Sequence, residues 1–235
     1  MHPSPRLDIP SYLSVLPLFQ EMTPAELASL AEGCELSTLA RGDMVFRVGQ
    51  LCNEFHVVVK GQVKLYAISA NGNEKVIELV GPNNSFAEAL MFTDRPYIVN
   101  AQALTETLLL TVRKAAVVAE IERDPRFSMR MLAGISRRLH GLIHDVEAYA
   151  LHSGVQRVIG YLLNDEGRAS DDEPGADGTI TVSLPVTKAT LASRLSLTPE
   201  YFSRVLNELE QAGLIAREGR DIRILDRRRL AAYEG

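Results

Sequence analysis

The sequence predicts an α+β fold in which an antiparallel β-barrel or sandwich is followed by a long helix and then by a helix-turn-helix. Three patterns indicate this order. Short alternating apolar runs with turn residues between them fill the first half, a seven-residue apolar repeat fills the middle, and two short capped helices stand near the end. With 235 residues, the chain is long enough for two domains that each bury a core.

Composition excludes several classes of protein. The only cysteines, Cys34 and Cys52, lack CxxC spacing, so one chain builds neither a disulfide framework nor an all-cysteine zinc or iron–sulfur site. No apolar run approaches the roughly 20 residues of a transmembrane helix. The first residues also lack the basic-then-apolar order of a signal peptide. We therefore expect a cytoplasmic protein without a membrane partner.

The first half of the chain predicts β-strands. Alternating apolar runs occur at residues 55–59, 63–66, 76–79 and 108–112. Glycine-containing turns recur between them at intervals of about 7 to 12 residues, which favours an antiparallel barrel or sandwich over a parallel sheet. Ahead of the strands, Thr23 and Glu26 have the spacing of a capping box, and Pro24 stands at the first helical position, so we expect a short helix there.

Residues 126–153 predict one long helix, because no proline interrupts them and apolar residues recur at consecutive a and d positions. These are Leu132, Ile135, Leu139, Leu142, Val146 and Tyr149. A strict seven-residue repeat favours a coiled-coil seam, and no other segment offers a matching one, so the expected partner is a second copy of the chain. A single buried helix would show much the same pattern.

Residues 187–215 predict two short helices around a tight turn. Thr187 and Thr198 are good N-cap residues, and Pro199 falls at the first position of the second helix. Helical spacing gives that helix an inward apolar face of Phe202, Val205, Leu206 and Leu209. This is the plan of a helix-turn-helix whose second helix enters the major groove of DNA.

The outward flank of the second helix carries groups that read base edges. Glu200 offers an acceptor for cytosine N4, Arg204 offers a donor fork for guanine O6 and N7, and Ser203 is short enough to let the helix lie deep. Asn207 completes the flank. An ordinary amphipathic helix with solvated charges remains the alternative from this helix alone.

The net charge of −5 argues against a nucleic-acid partner only until its distribution is considered. From Leu151 onward there are 11 basic and 13 acidic residues, but residues 165–177 alone hold 6 of those acids and 1 of those bases. We expect this Gly/Pro/Asp-rich stretch to be a mobile loop. The remainder of the C-terminal part then carries 10 basic and 7 acidic residues, a modest basic surface.

This order of parts resembles the Crp/Fnr family of bacterial transcription regulators. The segments RGDMVFRVGQ, VVKGQVKLY, NSFAEALMF and PEYFSRVLNELEQAGLI carry the resemblance over nearly the whole chain. It implies a β-roll sensor domain over residues 11–123, a dimerisation helix over 124–152 and a winged helix-turn-helix over 153–235. It also implies a homodimer that binds palindromic double-stranded DNA, and RNA polymerase as a further partner if the protein is an activator.

The pattern of Glu200, Ser203 and Arg204 resembles the Fnr branch, which implies the half-site TTGAT paired with ATCAA across the dyad. The expected wing is the hairpin of residues 215–225, with Arg217, Arg220 and Arg223 available to phosphates. The predicted DNA-contacting residues are Thr187, Lys188, Thr198, Glu200, Tyr201, Ser203, Arg204, Asn207 and Arg220.

We also expect an effector to bind around residues 86–92, between the β-roll and the outer side of the long helix. The predicted pocket residues are Phe86, Ala87, Glu88, Leu90 and Phe92. Glu88 matches the ribose-binding glutamate of cyclic-nucleotide-binding relatives, but Ile98 and Val99 stand where those relatives carry the Arg-Ser pair that neutralises the cyclic phosphate. A buried phosphate without a charged donor is strongly penalised, so cAMP is not expected, although Arg95 is close.

A 4Fe–4S cluster of the Fnr kind is not expected either, because residues 1–33 contain no cysteine. The sequence is most similar to the Dnr-type branch, whose members respond to nitric oxide through haem, and this resemblance implies haem as a cofactor. His140 and His144 have the i, i+4 spacing of a shared ligand pair, yet they occupy b and f positions, which are usually solvated. Where a Dnr-type chain is expected to carry histidines near its start, this chain has Leu16 and Pro17.

The sequence is also compatible with three other functions. One is a cyclic-nucleotide-responsive regulator, and another is a ligand-binding signalling dimer that does not bind DNA. The third is an enzyme with a β-barrel pocket, in which Glu78 or Glu88 beside His56 would be an acid/base pair; no nucleophile motif, metal-ligand run or phosphate loop accompanies them.

Overall fold

A computed structural model of the chain describes residues 7–16, 18–19, 21–163, 180–184 and 186–233. Contacts divide it into two compact units, Met1–Gly72 with Ile77–Leu142, and Asn73–Val76 with Ile143–Gly235. The predicted mobile loop at residues 165–177 lies outside the described residues. Within the described part, no helix is both long enough and apolar enough to cross a membrane.

The N-terminal half of the chain contains eight described strands: β1 (Cys34–Leu39), β2 (Met44–Phe46), β3 (Glu54–Lys60), β4 (Val63–Ile68), β5 (Glu74–Val80), β6 (Ser85–Phe86), β7 (Asn100–Ala103) and β8 (Thr107–Arg113). They form two four-stranded sheets in the orders β1-β8-β3-β6 and β2-β7-β4-β5. The pairs β1–β8, β3–β8 and β3–β6 of one sheet and β2–β7 and β4–β7 of the other are antiparallel. The antiparallel β-domain that the sequence predicts is therefore confirmed.

Helices flank this β-domain: α1 (Ile9–Ser14), α2 (Pro24–Glu32), α3 (Glu88–Met91), α4 (Lys114–Arg123) and the long α5 (Arg126–Leu151). The capping box at the start of α2 is confirmed, since the Thr23 amide donates to Glu26 Oε2 at 2.7 Å and the Glu26 amide donates to Thr23 Oγ1 at 3.4 Å. The single long helix predicted for the middle of the chain is also confirmed.

Two contacts pack the first half of α5 against the rest of the first unit. A Cβ on Gly134 would lie 2.6 Å from Leu18 Cδ1, so the absence of a side chain permits this close approach. Arg130 forms an ion pair with Glu26 of α2, a residue that is almost fully buried. Burial raises the pKa of the Glu26 carboxyl, but hydrogen bonds from Thr23 and Arg130 outweigh that effect and lower the pKa overall.

Aromatic rings fill the centre of the β-domain. Phe46 stacks on Tyr97 with ring centroids 3.6 Å apart, and both Phe46 and Phe86 contact the ring of His56, at 5.7 and 5.2 Å. His56 Nδ1 lies 3.0 Å from Thr111 Oγ1, whereas its Nε2 has no hydrogen-bond partner. Burial lowers the pKa of His56 from 6.5 to about 3, so this histidine is neutral in the folded protein.

We expect the β-domain to lose stability in acid through His56. Because its pKa is lower in the folded protein than in the unfolded chain, the unfolded chain binds this proton more readily. The stabilising contribution is complete above about pH 6.5 and falls as the pH drops toward 3, by on the order of 5 kcal/mol in total. Urea unfolding midpoints measured between pH 7.5 and pH 4 test this dependence.

The variant His56→Phe keeps an aromatic ring in the core and removes the titrating group, so its midpoint should fall less steeply with pH. The matched control is His140→Ala, because His140 is exposed and lies outside the aromatic core. An identical slope in wild type and His56→Phe would contradict the assignment.

The second unit contains α6 (Gly154–Leu163), β9 (Ile180–Ser183), α7 (Lys188–Arg194), α8 (Pro199–Gln211), β10 (Ile215–Glu218), β11 (Asp221–Ile224) and α9 (Arg227–Ala231). The three strands form an antiparallel sheet in the order β10-β11-β9. Its core includes Val158, Leu191, Phe202, Leu206 and Ile222, each at most 2% exposed. Helices α7 and α8 are the two helices of the predicted helix-turn-helix.

Candidate nucleic-acid interface

The turn between α7 and α8 is a tight, fully hydrogen-bonded C-terminal cap. Ser196 has a positive φ of 57°, its amide donates to the Ser193 carbonyl at 3.2 Å, and the Leu197 amide donates to the Ala192 carbonyl at 2.8 Å. This is the Schellman arrangement, which reverses the chain within a few residues. Arg157 of α6 adds a bond from Nη1 to the Leu195 carbonyl at 2.7 Å, so α6 also holds the end of α7.

Both helices of the motif begin where the sequence predicts. The Thr187 hydroxyl accepts from the Thr190 amide and the Thr198 hydroxyl accepts from the Tyr201 amide, each at 3.2 Å. Pro199 is the first residue of α8. The four apolar residues predicted to face inward are all buried: Phe202, Val205, Leu206 and Leu209. The register of α8 is therefore fixed by its core contacts.

That register leaves a polar row on the opposite side of α8. Glu200, Arg204 and Asn207 are exposed, and Ser203 is half-buried beside them. The Arg204 guanidinium lies over the ring of Tyr201, with Cζ 4.6 Å from the ring centroid. A carboxylate, a guanidinium and an amide thus share one exposed face, which is the chemistry that major-groove base edges require.

Two further predicted contact residues lie at the start of the neighbouring helix. Thr187 caps α7 and Lys188 is its first residue, and both side chains are exposed. A lysine at a helix N-terminus favours phosphate binding. We therefore keep Thr187 and Lys188 as predicted backbone contacts and assign base reading to α8.

Strands β10 and β11 form the predicted wing. Glu218 pairs with Asp221, so the loop consists of Gly219 and Arg220, and Gly219 has a φ of +66° that favours glycine. The side chains of Arg220 and Arg223 are exposed. Both are accessible to phosphates, as the sequence predicts.

Arg217 differs from that expectation, because it is paired within the domain. Its Nε donates to Glu210 Oε2 at 3.0 Å and its backbone amide donates to Glu210 Oε1 at 3.2 Å. The hydrogen bond from Arg217 lowers the pKa of the Glu210 carboxyl, which keeps the pair charged. Arg217 therefore links the wing to the end of α8, and the phosphate contact predicted for it stays a prediction.

The predicted effector residues follow β6 in the first unit. Phe86 is fully buried in the aromatic core, Glu88 is buried, Leu90 is half-buried and Phe92 is 40% exposed. Ala87, between β6 and α3, has a positive φ of 71°, a conformation that costs a residue with a side chain free energy. The five residues thus lie on one short segment that runs from the core to the surface, and their role as a pocket stays a prediction.

The described histidines do not form a haem pocket. His56 is enclosed by rings that are already stacked on one another, and a macrocycle would have to separate them. His140 is exposed, with Nδ1 2.8 Å from the Ser136 carbonyl oxygen. The side chain of His144 lies outside the described residues, as do those of Leu142, Val146 and Tyr149. Among described residues, no group of three or more His, Cys, Asp or Glu side chains is placed to hold a metal ion.

The predicted dimer seam on α5 is partly exposed. Leu132 and Leu139 are 54% and 55% exposed, and Met129 and Ile143 continue the same apolar stripe at spacings of three and four residues. Ile135 does not share it, because this residue packs against the core of its own unit. The seam role of Ile135 stays a prediction, and the exposed part of the described stripe consists of Met129, Leu132, Leu139 and Ile143.

Two family models match the chain. The cyclic nucleotide-binding domain matches residues 36–124, and the Crp-like helix-turn-helix domain matches residues 156–233. The solved structure of DNR from Pseudomonas aeruginosa is 34% identical, spans 95% of this chain and 96% of its own, and has a TM-score of 0.53. The chain belongs to the Crp/Fnr family of transcription regulators. It is therefore a regulator that binds DNA and not an enzyme.

Other members of the family support the same assignment. The CRP-like cAMP-activated global transcriptional regulator of Mycobacterium tuberculosis is 25% identical over 91% of this chain and 94% of its own. The structure of FixK2 from Bradyrhizobium japonicum has a TM-score of 0.74 and spans 86% of this chain and 98% of its own, but at 19% identity it shows the fold alone. The acid/base pair considered from the sequence, His56 with Glu78 or Glu88, has no place in this function.

Proposed function

We propose that this Crp/Fnr regulator acts as a homodimer on a TTGAT-N4-ATCAA-like palindrome. The observation that carries the proposal is the exposed row on α8, where Glu200 and Arg204 stand one turn apart. Arg204 would donate to guanine O6 and N7, and Glu200 would accept from cytosine N4 of the same or a neighbouring pair. Ser203 would contact a thymine or a phosphate.

The homodimer is supported by the apolar stripe on α5. Leu132, Leu139 and Ile143 are each more than half exposed in the single chain, although large aliphatic side chains are usually buried. A second copy of the same helix offers a matching stripe and buries both. A two-fold dimer would also place two recognition helices about 34 Å apart, as successive major grooves on one face of DNA require.

The identity of the effector is inferred from the resemblance of the sequence to the Dnr-type branch. We infer that the β-domain senses a small molecule, with nitric oxide through haem as the specific hypothesis from the Dnr-type branch. The described side chains of His56 and His140 do not form a haem site, and base reading by α8 does not require haem. A visible spectrum of the purified protein with and without added haem tests the hypothesis, and no spectral change would remove it.

Cyclic AMP is the second candidate effector, favoured by the cyclic nucleotide-binding domain match and by Glu88. Against it, Ile98 is 66% exposed at the position where cyclic-nucleotide-binding relatives carry the phosphate-binding arginine, and an aliphatic side chain cannot neutralise a phosphate. A calorimetric titration with cAMP separates this candidate from the first. If the protein activates transcription, RNA polymerase is its further partner.

A gel-shift series tests the DNA proposal. We expect the wild-type protein to bind a TTGAT-N4-ATCAA duplex at least about a thousandfold more tightly than an unrelated duplex at the same salt concentration. The matched control is a duplex in which the G·C pair of each half-site is replaced by A·T. A signalling dimer that does not bind DNA would shift none of the three duplexes, and equal shifts of all three would contradict sequence reading.

A further inference from the structure

The ring of Tyr201 lies between the first residue of α6 and the guanidinium of Arg204. On one side, a Cβ placed on Gly154 would lie 2.6 Å from Tyr201 Cε1 and 3.0 Å from its hydroxyl oxygen. On the other side, Arg204 Cζ lies 4.6 Å from the ring centroid. Gly154 begins α6 and Arg204 is on α8, so one aromatic ring contacts both helices.

Gly154 is needed here for space and not for an unusual backbone conformation. It is absent from the residues with positive φ, and it lies at the start of a regular helix. Any side chain at this position would be closer to the Tyr201 ring than real Cβ atoms ever come to their neighbours.

The contact with Tyr201 also bears on the reading of bases. An arginine side chain has several freely rotating bonds, and fixing them costs free energy when it binds a base. A ring that holds the guanidinium by a cation–π contact before binding reduces that cost and restricts the plane of the donor fork. Since bidentate recognition of guanine depends on that plane, the position of the ring affects base preference.

We propose that Tyr201 is a positioning residue that orients Arg204 for guanine, and that Gly154 provides the space in which the ring is held. This inference rests on the proposed DNA-reading function and deepens it. It assigns Tyr201 an indirect role through Arg204 in addition to its predicted contact with DNA. It also links the start of α6, which directly follows the long helix, to a base-reading side chain.

The test compares Gly154→Ala with Gly160→Ala. Both changes place the same residue in α6, but a Cβ on Gly160 would meet no atom within 4 Å. Affinity is measured for the TTGAT-N4-ATCAA duplex, its G·C-to-A·T variant and an unrelated duplex. We expect Gly154→Ala to reduce the preference for G·C about tenfold and to leave unrelated DNA unchanged, since a cation–π contact contributes 0.5 to about 2 kcal/mol and 1.4 kcal/mol corresponds to tenfold. Gly160→Ala should match wild type.

Two further variants separate orientation from general damage to the fold. Tyr201→Phe keeps the ring and should retain most of the G·C preference, whereas Tyr201→Ala should lose it. If Gly154 acts through the ring, adding Gly154→Ala to Tyr201→Ala should have little further effect. Thermal melts establish that each variant is folded before its affinities are compared.

The inference is overturned if Gly154→Ala discriminates the duplexes as well as Gly160→Ala does, or if the effects of Gly154→Ala and Tyr201→Ala on G·C preference simply add. Failure of the proposed function has a different signature, because wild-type protein would then show no preference for the palindrome. A wild type that prefers the palindrome, with all variants equal to it, refutes the positioning role alone.

Discussion

Replacing Arg204 by alanine is expected to weaken binding to the palindrome by about 1–3 kcal/mol and to abolish discrimination at the G·C pair. Arg204 is exposed on the outward face of α8, while its neighbours Val205 and Leu206 are buried. The substitution therefore removes the donor fork and leaves the core intact. Gel shifts or fluorescence anisotropy with the three duplexes measure the change.

Arg223→Ala is the matched control for this variant. Arg223 is an exposed arginine on β11, where a phosphate contact is expected and a base contact is not. Its loss should weaken binding to all three duplexes about equally and reduce the salt dependence. An Arg204→Ala protein with full preference for the palindrome would show that another face of the domain reads the bases.

Replacing Leu139 by aspartate is expected to dissociate the dimer. Leu139 lies near the middle of the exposed stripe on α5, and the two-fold dimer would bury it against the same helix of a second copy. An unpaired carboxylate in that seam costs on the order of 3–5 kcal/mol in each chain. Sedimentation velocity at micromolar concentration should show a monomer, and affinity for the palindrome should fall because two half-sites are no longer bound together.

Ile68→Asp is the control, because Ile68 of β4 is 57% exposed, much like Leu139, but lies on a sheet and not on α5. This variant should remain a dimer. A monomeric wild type, or a Leu139→Asp protein that sediments like wild type, would rule out the stripe as the dimer contact.

Local signals made much of the fold predictable. Threonine caps fixed the starts of α2, α7 and α8, because a capping hydroxyl must precede its helix by one residue. The alternating runs located β3, β4, β5 and β8, and of these β3, β4 and β8 each have four or more residues paired with a neighbouring strand. The inward face of α8 followed from helical spacing, and all four of its residues are buried.

Several of the elements that the sequence did not reveal are short or irregular. Strand β6 has two residues, and β2 has three with a register shift between Met44 and Phe46, so neither shows a period. Strand β7 reads Asn-Ala-Gln-Ala and is held by its neighbours β2 and β4 in the sheet, a non-local cause. The seven-residue apolar repeat also could not show that Ile135 packs against the core of its own unit.

Several features of the site depend on tertiary contacts that no sequence pattern shows. Arg217 looked like a phosphate ligand because it lies beside a wing turn, and only the folded domain brings Glu210 within hydrogen-bonding distance. The packing of α6 against α8, which no local pattern shows, brings the Tyr201 ring beside Gly154. His56 gave no signal of burial, since a histidine on a strand is compatible with either face of a sheet.

The two faces of helix α8 have separate functions, so such regulators can diversify through changes on one face alone. Phe202, Val205, Leu206 and Leu209 hold the helix in the domain, whereas Glu200 and Asn207 project outward from it. Substitutions at Glu200 and Asn207 should change the operator at little cost in folding free energy. A duplicated copy of this chain can therefore acquire a new set of target genes through a few outward substitutions while it keeps the same scaffold, and the same route is open to the engineering of regulators that do not cross-react.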